Sequence, residues 1–373
     1  MRLSYLYPCL LKARQTDRGE KRMRFIHIAD VHLGACPDAG KAYSQERPRE
    51  LWDTFAYVIE ICEKEKTDLL LIAGDLFHRQ PLRRELREVD SLFSSLSHTK
   101  VVLMAGNHDY IKKDSYYSTF SWSKNVYPLF GKEMEYIEFP ELHTAVYGFS
   151  YHEREIREAR YDSARPVGVQ PFEILLAHGG DERHIPVHRE QLIQSGFDYV
   201  ALGHIHKAQE LEKNRLVYAG ALEPIDKNDT GRHGLVKGVI DSKGCRVSRV
   251  PLAKREYIHL KIHVEEDWTA RNLLRYLEEQ IQAKGRENLY QITLEGTRDA
   301  DAVFEAAYLD PFGNVLEVSD ETKPAYDFER LRRENSRNLL GKYIELFQDC
   351  EEGTVQYKAL CKGVEALLEN MQG

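Results

Sequence analysis

The hydrophobic pattern of the chain is dominated by short apolar runs, each closed by a small residue and then a polar one. Residues 69–78, LLLIAGDLFH, set the type. A run that is apolar at every position reads as a parallel strand covered on both faces, and a turn at Gly74 then delivers Asp75 at the strand's end. The same grammar recurs in residues 23–34, MRFIHIADVHLG, where Phe25, Ile26 and Ile28 lead to Asp30 and His32. It recurs in 101–105 before Gly106, Asn107, His108 and Asp109, in 172–177 before His178, and in 199–202 before Gly203, His204 and His206. In an extended segment residues i and i+2 point the same way, so Asp30 and His32 are expected to face one site. Between these runs the period becomes helical. Leu51, Phe55, Val58, Ile59 and Cys62 mark a helix over 48–64 with Pro48 in its first turn. Leu86, Val89, Leu92, Phe93 and Leu96 mark a second over 84–96.

Further strands are expected at 144–149, 216–219, 235–240 and 245–250, with loops rich in aromatics at 110–131. The character changes near 251–257. Residues 257–264, YIHLKIHV, alternate as a half-buried strand does. Asp267 is placed to cap a helix running to 283. Strands are expected at 290–294, 304–309 and 315–318. From 328 the chain turns helical: Leu331, Leu339, Leu340, Tyr343, Ile344 and Phe347 suggest one helix, and Tyr357, Leu360, Val364, Leu367 and Leu368 a second beyond Gly353. The expected fold is α/β, the strands of 23–256 being parallel in one sheet or arranged in two packed sheets with their ends together. A smaller α+β domain, 257–373, ends in a helical pair. Residues 1–22 are basic and without periodicity. They read as an extension before a true start at Met23, as a disordered tail, or as an organelle-targeting segment.

Composition narrows this little. The 373 residues suffice for two or three domains, and 42% apolar with 30% charged residues is ordinary for a soluble globular chain. No apolar run approaches the ~20 residues that span a bilayer. A net charge of −8 does not advertise nucleic acid, whose non-specific binding draws on many Lys and Arg contacts, though local clusters vanish in a sum. The six cysteines show no CxxC spacing, which suits reduced thiols in a cytoplasm.

The strand ends carry the candidate chemistry. Ligands of open α/β sheets bind beyond the carboxyl ends of the strands. Asp30, His32, Asp75, Asn107, His178, His204 and His206 all stand there. Imidazole with carboxylate and amide oxygen suits Mn²⁺, Fe²⁺ or Zn²⁺, whereas an all-oxygen cage would suit Mg²⁺ or Ca²⁺. Seven side chains are too many for one ion and about right for two, with Asp75 as the natural bridge. Two ions roughly 3.5–4 Å apart can clamp a phosphate and activate water for in-line attack. His108, pointing away from Asn107, is then free to protonate the leaving alkoxide, with Asp109 as its orienting partner.

DVH at 30–32, GDLFH at 74–78, GNHD at 106–109, His178 and GHIH at 203–206 together resemble the calcineurin-like metallophosphoesterase superfamily. GDLFH with the early ADVHLG is similar to the SbcD-type DNA-repair nucleases and most of all to their YhaO-type bacterial relatives. The resemblance covers about 23–256 by motif and the remainder only as a capping domain. It implies two packed β-sheets flanked by helices around a βαβαβ core, with one metal held by Asp30, His32, Asp75 and His206 and another by Asp75, Asn107, His178 and His204. It further implies His108 as general acid, His78 beside a DNA end, and an SMC-like, SbcC-type ATPase as partner, with a homodimer possible. Residues 110–128 depart from the usual nuclease continuation after GNHD.

Three functions fit these features. A two-metal phosphodiesterase, a DNA exonuclease or endonuclease in repair, ranks first. A metallophosphatase or cyclic-nucleotide phosphodiesterase on a small substrate ranks second. A non-catalytic scaffold ranks last, because no ligand is missing. His27 is expected to be structural, and His184, His188 and His233 to be plain surface residues. The aromatic run Tyr110, Tyr116, Tyr117, Phe120 and Trp122 is expected to pack rather than to stack on bases.

Overall fold

The computed structural model describes residues 22–351 and 353–372; the readings of residues 1–21 lie outside them. Contacts divide the chain after Tyr257. The first unit runs β1 (Arg22–Ile28), α1 (Arg47–Glu65), β2 (Leu69–Ala73), α2 (Arg83–Ser94), β3 (Lys100–Met104), β4 (Val126–Pro128), β5 (Glu135–Phe139), β6 (Thr144–Gly148), β7 (Phe172–His178), α3 (Arg189–Gln194), β8 (Tyr199–Gly203), β9 (Gln209–Glu212), β10 (Leu216–Tyr218), β11 (Gly234–Asp241) and β12 (Gly244–Pro251). These strands form two six-stranded mixed sheets, ordered β12-β11-β1-β2-β3-β4 and β5-β6-β7-β8-β10-β9. Strands β1 to β4 are mutually parallel, and so are β6, β7, β8 and β10.

The two-residue period of a strand explains the layers. Leu69, Leu71 and Ala73 of β2 face the second sheet and pack with Phe25, Val102, Ile174, Leu176 and Ala201. Leu70 and Ile72 face the other way, under Leu51, Phe55 and Val58 of α1 and Leu86, Val89 and Phe93 of α2. The far face of the second sheet is covered by Tyr151, Tyr161, Ile185, Leu192 and Phe197. Both faces of β2, β7 and β8 are thus buried, which is why their sequences are apolar at every position. The aromatic run after GNHD packs as expected: Tyr117 is buried, and Phe120 and Trp122 lie against the core beneath α2. Strands β4, β5 and β9 were not legible in the sequence; they are edge-like, and mostly intermediate or exposed.

The second unit holds β13 (Tyr257–Val264), α4 (Ala270–Lys284), β14 (Leu289–Asp299), β15 (Val315–Asp320), β16 (Lys323–Ala325), α5 (Phe328–Glu334), α6 (Leu339–Glu345) and α7 (Val355–Gln372). Leu273, Leu277 and Ile281 of α4 pack on Leu260, Ile262, Tyr290 and Ile292. Three expectations need correction. Thr269, not Asp267, caps α4, its hydroxyl accepting from Asn272 N. The apolar residues at 304–309 form no strand but a single 3₁₀ turn at Ala306–Tyr308. The long helix expected from 328 is two helices, so the chain closes with three. Asn338 caps α6 by accepting from Gly341 N, and a capping side chain competes with helix continuation. Among the described residues no helix is long and apolar enough to cross a membrane.

Candidate metal centre

The strands release the chain at one level. Ile28 lies beside Ile72, Ala73 beside Met104, and His178 beside Gly203. The edges of the two sheets meet there. His178 Nδ1 donates to the Ala73 carbonyl at 2.8 Å, and the His204 amide donates to both carboxylate oxygens of Asp30 at 3.0 and 2.9 Å.

Glycine makes that approach feasible. A Cβ on Gly203 would overlap the Ala73 carbonyl oxygen and lie 2.9 Å from both Ala29 Cβ and His178 Nδ1. Gly203→Ala is therefore expected to push the sheets apart at this end. Thermal unfolding should show a loss of about 1–3 kcal/mol, the usual cost of overpacking.

Beyond the strands the backbone is not extended. Asp30, His32 and Asp75 have φ of 50°, 51° and 50°, and His204 has 94°. Non-glycine residues rarely adopt this region, at a cost of about 1–3 kcal/mol each, unless their surroundings over-determine it. Here the over-determination is visible: His32 N donates to Asp75 O at 3.0 Å and Leu33 N to Leu76 O at 2.9 Å, tying the first loop to the second. The reason expected for Asp30 and His32 sharing a site, strand alternation, is thus replaced by two left-handed turns.

All seven expected ligands come together. On one side His32 Nε2 and His206 Nε2 are 3.1 Å apart, and donor atoms of these two and of Asp30 lie within 4.8 Å of one another. On the other, Asn107 Oδ1 is 3.0 Å from His178 Nε2 and 3.1 Å from His204 Nδ1. Asp75 stands between. Its Oδ1 accepts from the His108 amide at 2.9 Å, which turns Oδ2 to 3.4 Å from His178 Nε2 and 4.0 Å from His32 Nε2.

The donor set fits divalent cations. Three imidazoles have their outer nitrogen committed as an N–H donor: His178 to the Ala73 carbonyl, His204 Nε2 to Asp181 Oδ2 at 2.7 Å, and His206 Nδ1 to Asp229 Oδ2 at 3.0 Å. In the neutral ring the inner nitrogen then carries a lone pair. Those lone pairs face one another, Asn107 Oδ1 and the Asp75 carboxylate. Acceptors crowded against acceptors call for a positive charge among them.

Protons can take the place of a cation at such atoms: His206, beside Asp229 and Asp30, is raised to about 9 against its burial. Burial would raise the Asp75 carboxyl, but His178, His32 and His108 hold it well below the usual carboxylate range. Burial pushes Asp30 up to about 6. His178 rises to about 9 against its burial, because Asp75 and Asp30 adjoin it, while burial takes His32 well below the ordinary histidine value. Protons and cations compete for these same atoms.

His108 lies on the His32 side. Its ring is 4.9 Å from that of His32 and stacks on His78 at 5.0 Å, and His78 Nδ1 is 3.4 Å from His32 Nδ1. The partner expected for His108 was Asp109, and this is corrected. His108 Nδ1 donates to the His78 carbonyl at 3.1 Å. Asp109 is wholly buried and accepts from Gly106 N, Phe77 N and the Tyr117 hydroxyl at 2.8, 3.1 and 2.9 Å. It ties the loop after β2 to its own loop after β3, and burial next to Asp75 pushes its carboxyl up to about 7.

Other expectations divide. His27 is structural, buried between the sheets with Nδ1 2.9 Å from the Tyr199 hydroxyl. His188 is exposed beside Asp162. His184 and His233 are not plain surface residues. The His184 ring is 4.7 Å from that of His204, and His233 is buried, bonded to the carbonyls of Ala221 and Asp229. Asp181 and Asp229 were missed. Asp229 lies in a polar loop with no apolar run before it, and Asp181 is set off from the run of β7 by His178 and two glycines, so that HGGD was the one available signal.

Two sheets packed with a carboxylate and imidazole centre at their shared edge define a metallophosphoesterase domain. The family model Calcineurin-like phosphoesterase matches residues 23–208, and over them the chain carries a domain of that family. Among curated relatives, the uncharacterized metallophosphoesterase YhaO of Bacillus subtilis is 31% identical over 234 residues, 57% of this chain and 56% of its own length. The DNA double-strand break repair protein Mre11 of Methanocaldococcus jannaschii is 28% identical over 261 residues, 64% of this chain and 69% of its own. The Mre11 of Aeropyrum pernix is 28% identical over 236 residues, covering 57% and 56%. The chain thus spans little more than half the length of YhaO.

Proposed function

We propose that the chain is a two-metal phosphodiesterase acting on DNA in repair, with Mn²⁺ as its working metal. The observation that carries the reading is the position of Asp75 Oδ2 between His32 and His178, with a separate donor set on each side. Asp30, His32, Asp75 and His206 would hold one cation, and Asp75, Asn107, His178 and His204 the other. When bound, such a pair polarises the phosphoryl group and makes a water acidic enough to attack it.

The chain's own residues do the rest. The loop bonds from Asp30, His32 and Leu33 to the turn at 74–76 hold Asp30, His32 and Asp75 together before any substrate arrives. His108, held through Nδ1 by the His78 carbonyl, presents Nε2 to the leaving oxygen and protonates it as a general acid. His78 is half-buried and stacked on His108, and in this reading it would contact the DNA end. Similarity to proteins named for double-strand break repair supports DNA as substrate. The five described cysteines are free, in keeping with a reducing cytoplasm. Leu339, Leu346 and Val355, on and just past the closing helices, are 67%, 81% and 79% exposed, and an SMC-like ATPase would dock against them.

The test is an assay of the full chain with Mn²⁺ on linear duplex DNA and on bis-p-nitrophenyl phosphate. Hydrolysis of both is expected, and EDTA should remove both activities, with Mn²⁺ restoring them. Cleavage of the small ester alone would move the assignment to a small-substrate phosphatase or cyclic-nucleotide phosphodiesterase. No cleavage of either, with metal bound, would leave the scaffold.

A further inference from the structure

Histidines 204 and 206 lie two residues apart but turn opposite nitrogens to the centre. His204 presents Nδ1, 3.1 Å from Asn107 Oδ1, and His206 presents Nε2, 3.1 Å from His32 Nε2. A neutral imidazole carries its proton on one nitrogen only, so the two rings must be opposite tautomers. Something has to select each. A different carboxylate stands behind each ring, and each carboxylate comes from its own loop.

Behind His204, Asp181 Oδ2 accepts from Nε2 at 2.7 Å. Asp181 is itself fixed by its turn: Oδ1 accepts from the Arg183 and His184 amides at 2.7 and 2.9 Å, and the His184 ring adds a further contact at 2.9 Å. Behind His206, Asp229 accepts from Nδ1 at 3.0 and 3.2 Å. Its Oδ2 also takes the Ile225 and Asp226 amides at 3.0 and 3.1 Å. His178 needs no carboxylate, since the Ala73 carbonyl does the same work. A carboxylate behind a metal-binding imidazole fixes its tautomer and ring angle and raises its basicity, and losing it usually weakens metal binding by about 10–100-fold.

We infer that Asp181 and Asp229 are positioning residues that serve different cations of the proposed pair, Asp229 through His206 for the ion held with Asp30 and His32, and Asp181 through His204 for the ion held with Asn107 and His178. This rests on the two-metal reading above. It adds that the two halves of the centre can be loosened separately, from outside the ligand set.

The experiment is calorimetric titration of metal-free full-length protein with Mn²⁺, with electron paramagnetic resonance separating a coupled ion pair from single ions. The wild type is expected to bind two ions. Asp181→Ala and Asp229→Ala should each weaken one ion by about 10–100-fold and spare the other. Ligand variants assign the sites. In a His32→Ala background the remaining ion should respond to Asp181→Ala and not to Asp229→Ala; in an Asn107→Ala background the reverse should hold. Asp229→Asn keeps one oxygen that can accept from both the turn amides and the imidazole, whereas Asp181→Asn keeps an acceptor for the turn amides or for the imidazole but not for both. Both should show the same selectivity as the alanine variants, with the smaller effect at Asp229, and they carry the test if an alanine variant unfolds. Two ions bound by every variant as tightly as by wild type, or both aspartates acting on the same ion, would overturn the inference and leave the two-metal reading standing. A wild type that binds no pair would overturn both.

Discussion

Asp75→Asn is expected to abolish hydrolysis, with kcat down at least ~10³-fold, or about 4 kcal/mol of transition-state stabilisation. The substitution keeps the shape of the side chain and the Oδ1 that accepts from the His108 amide. It removes the charge and the second anionic oxygen, and Oδ2 is the atom that lies between His32 and His178. An amide nitrogen in that place would aim donors where lone pairs now converge. Elemental analysis should find fewer than two ions per chain, while thermal unfolding of the metal-free protein should show the fold intact. A variant that retains both ions and hydrolyses at the wild-type rate would remove the bridge from the mechanism.

His108→Ala is expected to do the reverse to the metals. No atom of its ring belongs to either donor set, so both ions should stay bound while turnover falls by ~10²–10⁴-fold, the usual span of general acid catalysis. The choice of substrate sharpens the test. The sugar alkoxide leaving from DNA is strongly basic and needs the proton. A p-nitrophenolate is a far weaker base and hardly does. The loss should therefore be much larger on DNA than on bis-p-nitrophenyl phosphate. Equal losses on both, together with loss of both ions, would mean that His108 holds metal rather than moves a proton. Asp109 enters neither step, being spent on the Gly106 and Phe77 amides and the Tyr117 hydroxyl.

These two residues were readable because each lies within four positions of the end of a buried strand. A parallel strand covered on both faces has to be apolar throughout, so the change to Asp75, or to Asn107 and His108, stands out against LLLIA and KVVLM. For the same reason the seven donors stood out at the strand ends, whereas the choice between one parallel sheet and two packed sheets was open from the residues and came with the family resemblance. Alternation at 257–264 marked β13 equally well.

What the sequence determined by itself, then, is whatever local periodicity writes: the strands, the long helices of the first unit, and the side chains at the strand ends. Tertiary structure decided the rest. The φ near 50° at Asp30, His32 and Asp75 follows from bonds between loops more than 40 residues apart, not from any preference of Asp or His. The partner of His108 is a backbone carbonyl, which has no letter in the sequence. Asp181 and Asp229 matter through the imidazoles they reach across space, 23 positions away in each case. The helix expected past 328 breaks because one asparagine finds an amide to cap. Periodicity reports which face of an element is buried; which polar atom meets which is settled only when distant segments are brought together.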